Sequence, residues 1–197
     1  MTARPIPFRA PMVRAILEGR KTMTRRVLKP RKGLGFPGQL ENPRYEPGDT
    51  IWVREAWRTW AQFDDLPPRD IPPGSGVQYL ADDPVSPWDS RYRHARFMPR
   101  WASRIDLRVI AVRVERLQDI SEEDAMAEGV VAWHDDRTPP HLRLSDLRED
   151  RDRRDFLSMH YGSPRDAFAA LWNDIHGPDA WDENPWVAAI TFERIKP

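Results

Sequence analysis

Proline constrains this chain more than any other residue type, because 20 of its 197 residues are proline. Each proline fixes φ and lacks an amide hydrogen, so the composition favours turns and extended segments over long helices. Between these breaks lie runs typical of strands, at residues 5–8, 24–29, 50–57, 77–81, 107–117 and 186–192. The parity of the alternation shifts after residues 110–112, which predicts a bulge or a bend in the longest run.

Three short helices are predicted between the strands. The first covers residues 11–18 and ends at Gly19, the second runs from a cap at Ser121 to Gly129, and the third from a cap at Ser163 to Gly177. On the third helix, one face is formed by Phe168, Leu171, Trp172 and Ile175, and we assign Trp172 to the core. Without a βαβ rhythm, these elements predict an α+β fold: a mixed, mostly antiparallel sheet curled into a small barrel with flanking short helices. We expect a single domain over residues 1–197, with an insertion at about 131–162.

The charge pattern narrows the classes of function. Lys and Arg total 31, as do Asp and Glu, so the net charge is +0 and no global field attracts nucleic acid. Residues 20–32 and 91–104 are nevertheless locally basic and contain no acid. The chain has no cysteine and its histidines lack ligand spacing, so we expect no metal and no cofactor. It has no long apolar segment, so we expect a cytoplasmic protein without a membrane partner, while the oligomeric state stays open.

One short motif carries the sharpest chemical signal, Gly19-Arg20-Lys21-Thr22-Met23-Thr24-Arg25-Arg26. Gly19 ends the helix, so Lys21 is expected in a turn and Thr24 at the start of a strand, where the turn can bring the two together. A neutral Lys21 amine would serve as the base for the Thr24 hydroxyl, which requires a lysine pKa lowered from about 10.4 to about 7–8. A charged Lys21 would bind phosphate instead. Glu128 ends the second helix, where a carboxyl is either solvated or placed as a general acid.

Further side chains are assigned to substrate binding because they combine flat rings and hydrogen-bond donors. Trp101 lies between arginines and a serine, a mixture more typical of a binding wall than of a core. Core packing is the alternative for the other rings. The predicted substrate-binding residues are Thr22, Arg26, Trp57, Tyr79, Arg100, Trp101, Ser103 and Arg104.

The Gly19-x-Lys21-x-x-Thr24 motif after a short helix resembles the signature of ASCH domains, a branch of the PUA-like superfold. Residues 48–55, 98–104 and 117–120 are similar to segments of prophage-encoded members of that family, and the resemblance covers most of the chain except roughly 131–162. It implies a PUA-like small barrel that binds RNA. Some small bacterial members are similar to N(4)-acetylcytidine amidohydrolases, which use a Lys, a Thr and a Glu. By motif position these are Lys21, Thr24 and Glu128, in a chain much longer than those enzymes.

Three functions therefore compete, and each takes a nucleoside or single-stranded RNA as its partner. The first is an amidohydrolase that removes an acyl group from an N(4)-acylated cytidine-type substrate. The second is an RNA-binding module without catalysis, in which the basic segments hold phosphates and a ring stacks on a base. The third is a ribonuclease acting on single strands, for which the sequence shows no histidine base near the motif.

Overall fold

The computed structural model describes residues 3–29, 43–82, 89–131 and 157–195. The strands are β1 (Arg4–Pro7), β2 (Met23–Val27), β3 (Thr50–Arg54), β4 (Trp57–Arg58), β5 (Gln78–Tyr79), β6 (Asp106–Arg116) and β7 (Trp186–Ile195). The helices are α1 (Ala10–Leu17), α2 (Glu122–Ala127) and α3 (Pro164–His176). Single 3₁₀ turns lie at Ala61–Phe63, Pro68–Asp70, Ala95–Phe97, Arg100–Ala102 and Leu117–Asp119, and residues 157–161 are also helical.

Five strands form one mixed sheet in the order β1-β3-β6-β7-β2. β1 and β3 are parallel, whereas β3 with β6, β6 with β7 and β7 with β2 are antiparallel. β4 and β5 form a separate antiparallel pair. The predicted α+β class with a mostly antiparallel sheet is therefore confirmed. Among the described residues β1 and β2 are the two edges of the large sheet, so closure into a barrel stays a prediction.

The two long strands follow the predicted pattern closely. The register between β6 and β7 shifts between Val109 and Ala111, which confirms the bulge at Ile110. The run 50–57, predicted as one strand, instead divides into β3 and β4. The chain leaves the sheet at Glu55, whose buried carboxylate is an ion-pair partner, and Trp57 then enters the second ladder.

The helix ends obey local capping rules. The Ser121 and Ser163 hydroxyls each accept a hydrogen bond from the amide three residues further on, at 3.1 and 3.0 Å. Gly19 and Gly129 follow α1 and α2 with φ values of 77° and 79°. Glycine adopts this left-handed conformation at little cost, so both predicted helix ends are confirmed.

Two apolar clusters hold the fold together. The main core combines residues of the sheet with α1 and α3, for example Val13, Leu107 and Phe168. The smaller cluster lies beside β4 and β5 and consists of Trp57, Ile71, Met98 and Ala102, with partly buried neighbours.

The predicted insertion is only partly covered by the structure. Leu157 lies within it and is fully buried in the main core, so the end of this segment belongs to the packed fold. Residues 132–156 lie outside the described residues, and the single-domain organisation stays a prediction. In the described part of the chain, every helix is too short or too polar to cross a bilayer.

Candidate functional site

The turn after α1 is held from two sides by backbone hydrogen bonds. The amides of Arg20 and Lys21 both donate to the Ala15 carbonyl, at 2.8 and 3.0 Å, and the Thr22 amide donates to the Ala127 carbonyl at 3.0 Å. Ala15 belongs to α1 and Ala127 ends α2, so the turn ties the two helices together. This arrangement places the Lys21 side chain beside the C-terminal end of α2.

Lys21 and Glu128 form a buried ion pair. Lys21 Nζ donates to Glu128 Oε2 at 2.8 Å and to the Glu128 backbone carbonyl at 2.6 Å, and the two side chains are 3% and 5% exposed. That carbonyl is one of the acceptors left without an intrahelical partner at the end of a helix. A Cβ added at Gly129 would lie 3.2 Å from Lys21 Cβ, so glycine leaves room for this lysine.

Arg25 links the pair to two further acids. Its side chain is 0% exposed, and Nη1 donates to Glu128 Oε1 at 3.2 Å. Nη2 donates to Glu115 Oε1 and Asp124 Oδ2, both at 2.7 Å. Glu128 therefore accepts hydrogen bonds from both Lys21 and Arg25. The contact with Lys21 Nζ places its carboxylate where it can relay a proton.

Lys21, Thr24 and Glu128 line one cavity of about 100 Å³, which we call the inner cavity. Thr24 is buried in β2. Arg26 follows two positions later on the same face of β2 and also lines the inner cavity. Its Nη2 donates to the Pro7 carbonyl at 2.9 Å. The three residues predicted to act together thus share one concave site.

The environment of Lys21 lowers the pKa of its amine. Burial lowers the pKa of Lys21 below the ordinary value of 10.5, the Glu128 carboxylate opposes this shift, and the charges of Arg26 and Arg25 add to it. A neutral amine has two N–H donors and one lone pair. Because Glu128 offers two acceptors for the donors, the lone pair stays available to take a proton from a group in the inner cavity.

The structure adds a histidine that the sequence reasoning missed. His176 ends α3 and lines the inner cavity, with its ring stacked on Trp172 at a centroid distance of 4.1 Å. Burial lowers the pKa of His176, and the charges of Arg26 and Arg9 lower it further. The signal was present in the sequence, since Phe168, Trp172 and His176 follow at steps of four along one helix face. Trp172, assigned to the core, is buried and lines the inner cavity as well.

Several predicted substrate-binding residues lie elsewhere and make structural contacts. Thr22 is exposed and is tied into the fold through its backbone. Trp57 is fully buried in the smaller cluster, and Trp101 packs edge-on against it at a centroid distance of 6.1 Å. Ser103 Oγ donates to the Val53 carbonyl at 2.8 Å. None of these four residues lines the inner cavity.

Tyr79, Arg100 and Arg104 do not line the inner cavity either. Arg104 donates to both carboxylate oxygens of Glu55 at 3.0 Å and to Asp82 at 2.6 and 2.8 Å. Its guanidinium also lies 3.9 Å from the centroid of the Tyr79 ring. Arg100 is exposed and forms its own ion pair. Because its donors are taken by carboxylates, Arg104 holds the β4–β5 region in place.

The inner cavity offers groups that move protons. Within residues 3–29, 43–82, 89–131 and 157–195, no cluster of His, Cys, Asp or Glu has the arrangement of a metal site. An amine, a hydroxyl, an imidazole and a carboxylate line the inner cavity together with the guanidinium groups of Arg25 and Arg26. Such a set can deprotonate a nucleophile and stabilise a developing oxyanion.

Comparison with known proteins adds little to this geometry. No protein-family model matches the chain, and no curated protein matches it. Among solved structures, the chain is similar to the crystal structure of protein EF3133 from Enterococcus faecalis V583, of the family DUF984. The identity is 11%, the match covers 99% of this chain and 82% of that chain, and the TM-score is 0.38. A likeness at this level carries no argument about fold or activity.

Proposed function

We propose that the protein is an amidohydrolase that removes an acyl group from the exocyclic amine of an N(4)-acylated cytidine-type nucleoside. The observation that carries the proposal is the inner cavity, where Lys21, Thr24 and Glu128 meet in a buried site. The resemblance of the Gly19-x-Lys21-x-x-Thr24 motif to ASCH domains supports the same assignment.

The PUA-like barrel is part of this proposal. β1 and β2 are the edges of the large sheet, and a barrel requires these two edges to approach one another. Arg26 of β2 donates to the carbonyl of Pro7 in β1 at 2.9 Å, and its guanidinium lies 5.3 Å from the centroid of the Phe8 ring. This side-chain bridge between the edges supports a nearly closed sheet.

The volume of the inner cavity suits an acyl group rather than a whole nucleoside. The inner cavity measures about 100 Å³, whereas an apolar cavity of about 150 Å³ holds benzene. An acetyl group and its amide therefore fit, and the pyrimidine and ribose must lie in adjoining space. The inner cavity shares Pro7, Phe8 and Arg9 with a cleft of about 410 Å³, which offers that space.

The reaction uses the groups of the inner cavity in turn. Lys21 Nζ takes the proton of Thr24 Oγ1 as this oxygen bonds to the amide carbonyl carbon. The guanidinium of Arg26, whose buried Nε has no hydrogen-bond partner among the described residues, stabilises the resulting oxyanion. The proton then passes from Lys21, through the hydrogen-bonded Glu128, to the exocyclic nitrogen, and the carbon–nitrogen bond breaks to release cytidine. Water hydrolyses the acyl-threonine to the free acid; direct attack by water gives the same products without that intermediate.

Incubation of the purified protein with N(4)-acetylcytidine, followed by chromatography, tests the proposal. The wild type is expected to release cytidine and acetate, and Lys21→Met or Thr24→Val to lower kcat/KM by about 10²-fold or more. Lys29→Met is the matched control, because Lys29 is exposed just beyond β2. No cytidine from the wild type, or equal release by Lys21→Met, removes the proposal. An acyl adduct on Thr24 after rapid quenching identifies the covalent route.

A second candidate, a single-strand ribonuclease, is favoured by the position of His176. The sequence shows no histidine close to the motif, but in the folded chain His176 lines the inner cavity together with Lys21. Its neutral imidazole would take the proton of a ribose 2′-hydroxyl while Lys21 stabilises the phosphorane. Labelled single-stranded RNA incubated with a chelator tests this route. Products ending in a 2′,3′-cyclic phosphate that vanish in His176→Gln support it, and intact RNA with the wild type removes it.

A further inference from the structure

The inner cavity is the first of three adjoining spaces. It shares Pro7, Phe8 and Arg9 with the cleft of about 410 Å³, which we call the middle cleft. The middle cleft shares Tyr92 and His94 with a groove of about 680 Å³, the outer groove. Because each space shares wall residues with the next, the three lie side by side, and we refer to them together as the channel.

Two exposed aromatic rings lie in the outer groove. Tyr92 and Phe97 line it, and they are 49% and 57% exposed. Leu66 adds a third exposed apolar side chain to the same groove. Exposed rings beside cations are the usual stacking platforms for the bases of single strands, because every base offers a π-face.

The charges of the outer groove favour an anionic chain. Arg69, Arg91 and Arg93 line it together with one acid, Asp65. Arg91 and Arg93 donate to backbone carbonyls, and within the described part of the chain neither pairs with a carboxylate. The Asp64 carboxylate accepts from the backbone amide of Arg91 rather than from its guanidinium. Arg93 is buried, and Arg69 forms an exposed ion pair with Asp70 at 3.6 Å. The exposed guanidinium groups of Arg69 and Arg91 are therefore the ones that can contact phosphates.

The wall that carries the rings is built into the fold. Arg93 is buried and donates to the carbonyls of Phe63 and Leu66 at 2.6 and 3.0 Å. Its backbone pairs with that of Trp57 through bonds of 3.0 and 3.1 Å. His94 Nδ1 accepts a hydrogen bond from the amide of Arg96 at 3.0 Å, which holds the ring in place. A groove formed in advance loses less conformational entropy when a ligand binds.

We propose that the middle cleft and the outer groove bind single-stranded RNA and that the acyl group carried by the reacting base of that strand enters the inner cavity. Flanking bases stack on Tyr92 and Phe97, while Arg69 and Arg91 contact phosphates. The alternation of rings and arginines favours a phosphate chain over an apolar peptide. The inference rests on the proposed function only for the reacting base, since strand binding requires no hydrolysis.

Fluorescence anisotropy with a labelled, unmodified single-stranded RNA of about ten nucleotides tests strand binding. Tyr92→Ala and Phe97→Ala are each expected to weaken the Kd about 10-fold, as expected for the loss of one stacked base. Arg91→Gln is expected to weaken binding and to lower the salt slope by about 0.7, the value for one phosphate contact on a single strand. Tyr92→Phe should rescue the binding lost in Tyr92→Ala, because the ring is retained.

Arg108→Gln is the matched control for charge, since Arg108 is an exposed arginine of β6 outside the channel. The proposal is overturned if this variant weakens binding as much as Arg91→Gln, or if both alanine variants bind like the wild type. Absence of any binding, or tighter binding of a duplex of the same sequence, overturns it as well.

A strand carrying one N(4)-acetylcytidine separates this inference from the proposed function. If both hold, kcat/KM for the strand exceeds that for the free nucleoside by about 10-fold or more, and the double variant Tyr92→Ala/Phe97→Ala loses this excess. Strand binding without deacylation would contradict only the proposed amidohydrolase activity. Deacylation of the nucleoside without strand binding would contradict only the proposed RNA-binding groove.

Discussion

Replacing Lys21 by Met and Glu128 by Gln, singly and together, measures how strongly the buried pair is coupled. Lys21→Met removes charge-assisted hydrogen bonds of 2.6 and 2.8 Å and leaves Glu128 with Arg25 Nη1 at 3.2 Å. Bonds to charged groups contribute about 1.5–3 kcal/mol each, and loss of one partner of a buried pair costs about 3–5 kcal/mol. Because Arg25 still compensates Glu128, we expect Lys21→Met to lower the free energy of unfolding by about 2–3 kcal/mol.

The second substitution has a different physical cost. Glu128→Gln keeps an amide oxygen that accepts one donor, but it leaves Lys21 and Arg25 without the carboxylate between them. Burial already lowers the pKa of Lys21, so this amine can lose its proton and limit the cost to about 2 kcal/mol. The double variant buries neither charge of the pair. Its destabilisation should therefore fall short of the sum of the two single values by about 1–3 kcal/mol.

Urea unfolding followed by the fluorescence of the nine tryptophans gives all three values. Lys29→Met, at an exposed position, is the control and should change the free energy of unfolding by less than about 0.5 kcal/mol. Additivity of the two single substitutions within about 0.5 kcal/mol would show that Lys21 and Glu128 do not interact, and the arrangement proposed for the inner cavity would then be wrong.

Three further outcomes follow from the same contacts. kcat/KM should rise with pH as Lys21 loses its proton, and the midpoint should lie below the ordinary value of 10.5 because burial lowers the pKa of Lys21. Arg26→Gln removes a positive charge that lowers this pKa, so it should move the midpoint upward; an unmoved midpoint contradicts the assignment of Lys21 as the base. Gly129→Ala adds a Cβ 3.2 Å from Lys21 Cβ at a φ of 79°, whereas a Cβ added at Gly48, where φ is 90°, has no atom within 4 Å. Gly129→Ala should therefore lower the free energy of unfolding more than Gly48→Ala, and equal values for the two variants would contradict this. Trp57→Ala should lower the free energy of unfolding by about 3–5 kcal/mol, since the ring is fully buried in the smaller cluster. A variant that is as stable as the wild type but no longer binds substrate would show instead that Trp57 contacts the substrate.

Local residue patterns were enough to predict the helices, the long strands and the bulge, because each signal acts over a few residues. Gly19 and Gly129 end helices in the left-handed conformation, and the parity change at Ile110 marks the shift in register. The motif also named Lys21 and Thr24, since a helix end followed by a strand brings a turn residue and a strand residue together. The run 50–57 was mistaken for one strand because its pattern continues while the burial of Glu55 and Trp57 redirects the chain.

Folding alone decided which of the many charged and aromatic side chains meet. Arg25 contacts Glu115 and Glu128, which are 90 and 103 positions away in the chain, and no local period encodes that choice. His176 reaches the inner cavity because α3 packs against the motif, whereas Trp57 is buried at a distance from it. Burial then sets the chemistry: an amine that would stay charged in water is desolvated beside a carboxylate and two guanidinium groups.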